Sequence, residues 1–256
     1  MLLWGWLKMA LTNKLTAIGK AIRAKNGETA LYTLDEMPQK IAAIETGGGS
    51  GSSILPNEYK EVEFLQVDGS QYIITDYYPT RNTNIISRDY SSSGGIYVYG
   101  VRNSGDTASF SFLKTNTLAN CRIGSATVQY STFVSYADSS LKSVLNSVGT
   151  NSVYLKIVDV FSSTTKVDKS GDVIPEEFTS ALPLYILNCN QEGAATSSGF
   201  SGNLYKLTIK ENGVIVRDFI PCYRKSDSKP GLYDIVNKQF YTNAGSGEFS
   251  FPEYTI

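Results

Sequence analysis

From residue 54 onward, short runs of alternating apolar and polar residues are separated by clusters of Gly, Ser, Thr, Asn and Asp. That is the period and punctuation of half-buried strands joined by turns. The pattern predicts strands at 59–66, 71–75, 84–88, 96–101, 109–113, 127–136, 153–160, 184–189 and 204–209. In 139–148, Leu141, Val144, Leu145 and Val148 also fit a helical stripe; among so many strands the segment is read as strand and turn. The densest signal lies in 213–249. Asn212-Gly213 favours the positive φ of a hairpin turn and leads into the β-branched run VIVRDFI, a strand expected to end at Pro221, which removes a ladder donor, and at the turn-forming SDSKPG. A second hairpin is expected there, with Asn237-Lys238 at its turn and Asn taking the left-handed conformation. Arg217 and Asp218 of this stretch read as strand-tying residues rather than binding ones.

The first 53 residues follow another period. Leu11, Leu15, Ile18 and Ile22 recur on one face of a helix, and Asn26-Gly27 supplies its stop. A second helix is expected from about Asp35, with Pro38 in its first turn and Met37, Ile41 and Ile44 on its apolar side. Helices this short need a partner. Residues 47–53, GGGSGSS, form a flexible coil, which suits parts that move independently. The expected organisation is therefore a helical docking module at 1–46, a linker at 47–53 and a β-sandwich at 54–256. Residues 1–8, MLLWGWLK, are too few to span a bilayer and are read as an extension upstream of Met9, with an interfacial anchor as the other reading.

Composition narrows the chemistry. The net charge of −1 offers no concentrated basic surface for nucleic acid, and neither that partner nor a membrane is expected. There is no histidine, which removes the commonest general base and transition-metal ligand and excludes Ser-His-Asp and Cys-His hydrolysis. Cys121, Cys189 and Cys222 show no metal-ligand spacing and read as small core residues.

Three strings resemble one family: EFLQVDGSQYIITDYYPTRNTNI at 63–85, GNLYKLTIKENGVIVRDFIPC at 202–222, and the continuation through RKSD, GLYDIVN and QFYTN. They are similar to the two ends of a laminin-G-like, concanavalin-like sandwich (jelly roll) domain of tail and fibre proteins of phages and prophages of Gram-positive gut bacteria. LTAIGKAIRAKNG and TLDEMPQKIAAI resemble the short N-terminal module of phage tail and baseplate proteins, ahead of the same kind of Gly linker. The resemblance implies a mainly β, laminin-G-like sandwich preceded by a helical hairpin. It further implies a tail-fibre or baseplate protein of the virion, commonly trimeric, docked to other virion proteins through the N-terminal helices and touching a host-surface glycan or protein. A capsid decoration or head-fibre protein without a specific ligand is the structural alternative, and a fold-level resemblance does not choose between them. A bacterial surface adhesin is a further reading, without the signal and sorting segments it calls for.

Candidate ligand contacts for a glycan are exposed rings beside polar groups: Tyr77 and Tyr78, Arg102 and Asn103, Tyr223 and Arg224. Each has a plainer reading, the tyrosines (with Tyr97 and Tyr99) as sheet cover and the arginines as ion-pair partners. Tryptophan is absent after Trp6. Some laminin-G-like domains bind calcium through loop oxygens, for which Asp68, Asp76, Asp106 and Asp172 are candidates; no other metal or cofactor is expected. Paired carboxylates are the remaining catalytic device and would suit a glycan depolymerase. Glu61 and Glu63 point the same way on a strand and Glu176-Glu177 lies in a loop, but no compact acidic motif is present, and the expectation is a protein without enzymatic activity.

Overall fold

The structure is a computed structural model that describes residues 54–91, 96–102, 109–114, 118–131, 141–145, 152–159, 164–175 and 177–252. The expected helical hairpin, with Leu11, Leu15, Ile18, Ile22, Met37, Ile41 and Ile44, and the linker at 47–53 lie outside these residues, as do Asn103, Asp106 and Glu176.

All the described elements are strands, and no helix occurs among them. One sheet holds β1 (Tyr59–Glu61), β2 (Leu65–Asp68), β4 (Thr83–Ser91), β9 (Leu141–Leu145), β10 (Ser152–Asp159), β11 (Thr165–Val173), β15 (Ser201–Glu211), β16 (Val214–Arg224), β17 (Lys229–Asp234) and β18 (Gln239–Thr242). Its main path runs β11-β10-β9-β4-β15-β16-β17-β18, with β1 on β16 and β2 on β15. The other sheet holds β3 (Ile73–Ile74), β5 (Ile96–Arg102), β6 (Ser109–Lys114), β7 (Leu118–Ile123), β8 (Ala126–Ser131), β12 (Tyr185–Ile186), β13 (Cys189–Gln191) and β14 (Ala194–Ala195). Among the described strands, pairing is antiparallel except where β13 runs parallel to β5, beside an isolated parallel bridge between Tyr97 and Gly199.

Alternation explains which face each strand turns inward. Leu65 and Val67 of β2 are buried while Gln66 and Asp68 are exposed, and Ala119, Cys121 and Ile123 of β7 are buried between half-buried neighbours. One apolar cluster joins both sheets: Leu65, Ile85, Leu155, Leu207 and Phe219 from the first meet Ile73, Val98, Phe110, Phe112 and Ile186 from the second. Two antiparallel sheets sharing an inner core agree with a β-sandwich. A smaller cluster of Leu55, Ile220, Cys222 and Tyr233 lies apart from that core, and Tyr59 covers it with its ring 4.8 Å from Tyr233 and 4.9 Å from Phe240.

The strands β8 and β11, each last in its own sheet, meet along a seam. A Cβ at Gly171 would come within 2.1 Å of the Thr127 carbonyl oxygen, so only glycine allows this approach. Asp172 accepts hydrogen bonds from the Thr127 amide and hydroxyl, both at 3.0 Å, and Lys169 Nζ donates to the Gln129 carbonyl at 3.1 Å.

Three sequence expectations are corrected. The strand expected to stop at Pro221 continues to Arg224, because β1 pairs only with Cys222–Arg224, and the proline carbonyl accepts from the Val62 amide at 3.0 Å. A proline is harmless where no neighbour needs its N–H. The single strand expected at 184–189 is broken at Leu187 (φ 70°) and Asn188, whose side-chain oxygen accepts from the Cys189 amide at 2.7 Å and the Thr196 amide at 3.0 Å. In the last hairpin, Lys238 (φ 58°), not Asn237, takes the left-handed conformation. Asn212 and Gly213, with φ of 49° and 80°, form the expected hairpin turn, and 141–145 within the ambiguous segment is strand.

Candidate ligand-binding groove

On the ten-stranded sheet, away from the shared core, lies a groove of about 610 Å³. Glu61 and Glu63, either side of buried Val62, form one part of its lining. Ile86 and Arg88 come from β4, Tyr205, Lys206, Thr208 and Lys210 from β15, and Ile215, 46% exposed, from β16.

A β-bulge shapes this groove. Leu204 pairs with Asp89 and Lys206 with Arg88, which leaves Tyr205 as the extra residue. Bulges re-aim one side chain, and here Tyr205 joins Lys206 in the groove lining, its ring 5.1 Å from that of Phe64. The Arg88 guanidinium carbon lies 4.7 Å from the Tyr205 ring centroid, a cation–π contact that holds both groups in place. Arg88 Nε is buried without a hydrogen-bond partner. Such donors are uncommon in native proteins. Lys206 Nζ is 3.1 Å from Asp218 Oδ2, and Thr208 Oγ1 donates to Asp218 Oδ1 at 2.7 Å. The groove thus offers a fixed ring, carboxylates, ammonium groups and a hydroxyl, a set that suits a ligand rich in hydroxyls.

The residues singled out in the sequence fall in other places. Tyr77 donates its phenol to Glu211 Oε2 at 2.6 Å, shares a 2.7 Å hydrogen bond with Thr83 Oγ1, and is covered by Arg217 at 5.7 Å from its ring. Burial, and after it the Glu211 contact, pushes its pKa well above the ordinary phenol value. Tyr78 is 49% exposed. Arg102 is half-buried at the end of β5. Tyr223 stacks on Phe251 at 5.2 Å, and Arg224 makes a two-point pair with Asp227 (3.1 and 2.6 Å), lowering the Asp227 pKa to about 2. Arg217, above Tyr77, lies six positions before Tyr223 on β16, about 20 Å at strand spacing, so the two tyrosine groups do not converge. Tyr99 is buried and Tyr97 half-buried.

The aspartates offered for calcium are engaged within the chain. Asp68 Oδ1 accepts from the Ser70 amide (3.0 Å) and hydroxyl (2.7 Å), Asp76 accepts from Tyr241 (2.8 Å) and Arg217 (3.2 Å), and Asp172 holds Thr127 across the seam. Among the described residues no three His, Cys, Asp or Glu side chains are grouped to hold a metal ion. The three thiols are free and buried, and burial pushes those of Cys189 and Cys222 up to about 12.

No protein-family model matches the chain, and no curated protein matches it. Among solved structures, it is similar to SCP-B, a member of the eqolisin family of peptidases, solved in a complex with the tripeptide Ala-Ile-His. The match has 14% identity and a TM-score of 0.30, and covers 75% of this chain and all of that one. This corrects the expectation that the chain is not an enzyme: a peptidase among its structural matches removes that exclusion, and a likeness this distant assigns no activity in its place.

Proposed function

We propose that the chain is a virion protein of a tailed phage or prophage whose laminin-G-like sandwich presents the Tyr205 groove to a host-surface saccharide. Residues 1–46 dock it to other virion proteins at the tail or baseplate. The observation that carries the binding role is the Arg88–Tyr205 stack in the groove lining, because a ring held in place beside polar side chains suits the face and hydroxyls of a sugar. Weak single-site contacts of this kind gain from multiplication, which fits a trimeric assembly.

Titration of the full chain with host cell-wall polysaccharide, followed calorimetrically, tests the reading. The wild type is expected to bind, and Tyr205→Ala to bind about tenfold or more weakly, equivalent to about 1.4 kcal/mol. Tyr223→Ala, outside the groove, is expected to retain affinity. Equal affinity of wild type and Tyr205→Ala, or no binding by the wild type, overturns the proposal.

A further inference from the structure

The interior of the sandwich holds a charged pair that the groove does not use. Asp89 is fully buried on β4 and Lys114, 2% exposed, ends β6, so their contact bridges the two sheets through the core. Lys114 Nζ is in direct contact with Asp89 Oδ1 and lies 5.4 Å from the Phe112 ring centroid. The second carboxylate oxygen, Oδ2, accepts from Ser87 Oγ at 2.7 Å. Tyr99, whose ring is 5.7 Å from that of Phe112, has a buried hydroxyl without a hydrogen-bond partner.

We infer that Lys114 and Asp89 are joined by an intramolecular isopeptide bond that clasps one sheet to the other. Two opposite charges are costly to hold in a dry interior. The step begins with transfer of one proton from Nζ to Oδ1 across their direct contact, which leaves an amine against a carboxylic acid. The amine is then a nucleophile and the acid an electrophile, held together by the fold at high effective concentration. The Nζ lone pair adds to Asp89 Cγ, and negative charge develops on Oδ2, where Ser87 Oγ already donates. The bond from Cγ to Oδ1 breaks, Oδ1 takes a second proton from Nζ and leaves as water, and the third Nζ proton stays as the N–H of the amide. No electrons are gained or lost and no co-reactant is needed. Burial keeps the Tyr99 phenol nearby protonated. Exclusion of water from the core opposes the reverse hydrolysis.

Mass spectrometry of the purified full chain under denaturing conditions tests this directly. The expected result is a mass lower than that of the sequence by one water, together with a branched proteolytic peptide joining the Asp89 and Lys114 segments. Lys114→Met is expected to restore the full mass. A wild-type mass equal to that of the sequence overturns the inference. So does a loss of water without the branched peptide, as cyclisation at Asp68-Gly69 would give. The branched peptide is sought in the wild type, so the test does not depend on any variant folding.

Discussion

Glu211 provides a demanding check on how the Tyr77 loop is held. Its carboxylate, at the end of β15, accepts from the hydroxyls of Tyr77 at 2.6 Å and Thr80 at 2.5 Å, and Thr83 Oγ1, 3.0 Å away, has one proton for either the carboxylate or Tyr77. Thr83 is fully buried, and the other two are half-buried. A hydrogen bond to a charged group contributes about 1.5–3 kcal/mol, and an unsatisfied buried donor costs about 1–3 kcal/mol. In Glu211→Ala, Tyr77 and Thr83 can still bond across the 2.7 Å between them, and Thr80 Oγ1 still accepts from the Asn82 amide at 3.1 Å, so the losses do not simply add. We expect Glu211→Ala to destabilise the sandwich by about 3 kcal/mol. Glu211→Gln, which keeps the shape and one acceptor oxygen while the hydroxyls rotate, should cost about 1 kcal/mol. For a domain of this size 3 kcal/mol corresponds to about 6–12 °C in Tm. Both tryptophans lie in residues 1–8, so unfolding of the sandwich is followed by far-ultraviolet circular dichroism rather than tryptophan emission. In a double-mutant cycle, Tyr77→Phe and Glu211→Gln should couple by about 1 kcal/mol. A Glu211→Ala protein that melts with the wild type, or no difference between the alanine and glutamine variants, would refute the reasoning.

Two further outcomes follow from groups with displaced pKa values. Asp227 binds its proton more weakly when folded, mainly through the Arg224 hydrogen bond, so the contribution of the pair is present above the ordinary value of 3.8 and is lost as pH falls through about 2. Carboxyl NMR should show Asp227 titrating near pH 2 in the wild type and at a higher pH in Arg224→Ala, where the Lys229 amide still donates to it; identical titrations would sink the assignment. For the thiols, the native protein at pH 8 should resist alkylation at Cys121, Cys189 and Cys222, and all three should react once it is denatured, as counted by mass. Rapid labelling of any one in the native state would contradict its burial.

Much of the fold was legible because its strands carry a two-residue period. Val153, Leu155 and Ile157 of β10 alternate with half-buried neighbours, and the Asn212-Gly213 turn follows from its own chemistry. β11 was missed because, of its residues, Val167 reaches the core and Val173 is 72% exposed, so an edge strand reads as polar loop. β7 was missed since Ala119 and Cys121 are small, and its inward face reads weakly as a hydrophobic pattern. The groove was less legible still. Tyr205 sits within a strand that was expected, but the bulge that carries it depends on the pairing of Leu204 with Asp89 and Lys206 with Arg88, a relation between distant segments. Glu61 and Glu63 were noted as facing one way, and nothing local to them indicates that Arg88 and Tyr205 stand across the same groove. Conversely, the aromatic and arginine residues conspicuous in sequence, Tyr77 and Arg224 among them, have partners within the fold.

The Gly171 seam bears on how copies of this chain can crowd together. An exposed strand edge is a template on which another chain can add a strand. Here two such edges face each other, and Asp172 and Lys169 occupy backbone groups of β8 that a foreign strand would otherwise use. The opposite end of the eight-stranded path is the two-residue β14, and that of the ten-stranded path is the four-residue β18, both short for a strand to dock on. A domain with its edges blunted in this way can be held at high local density without sheet-to-sheet polymerisation, leaving side-chain surfaces to govern its contacts.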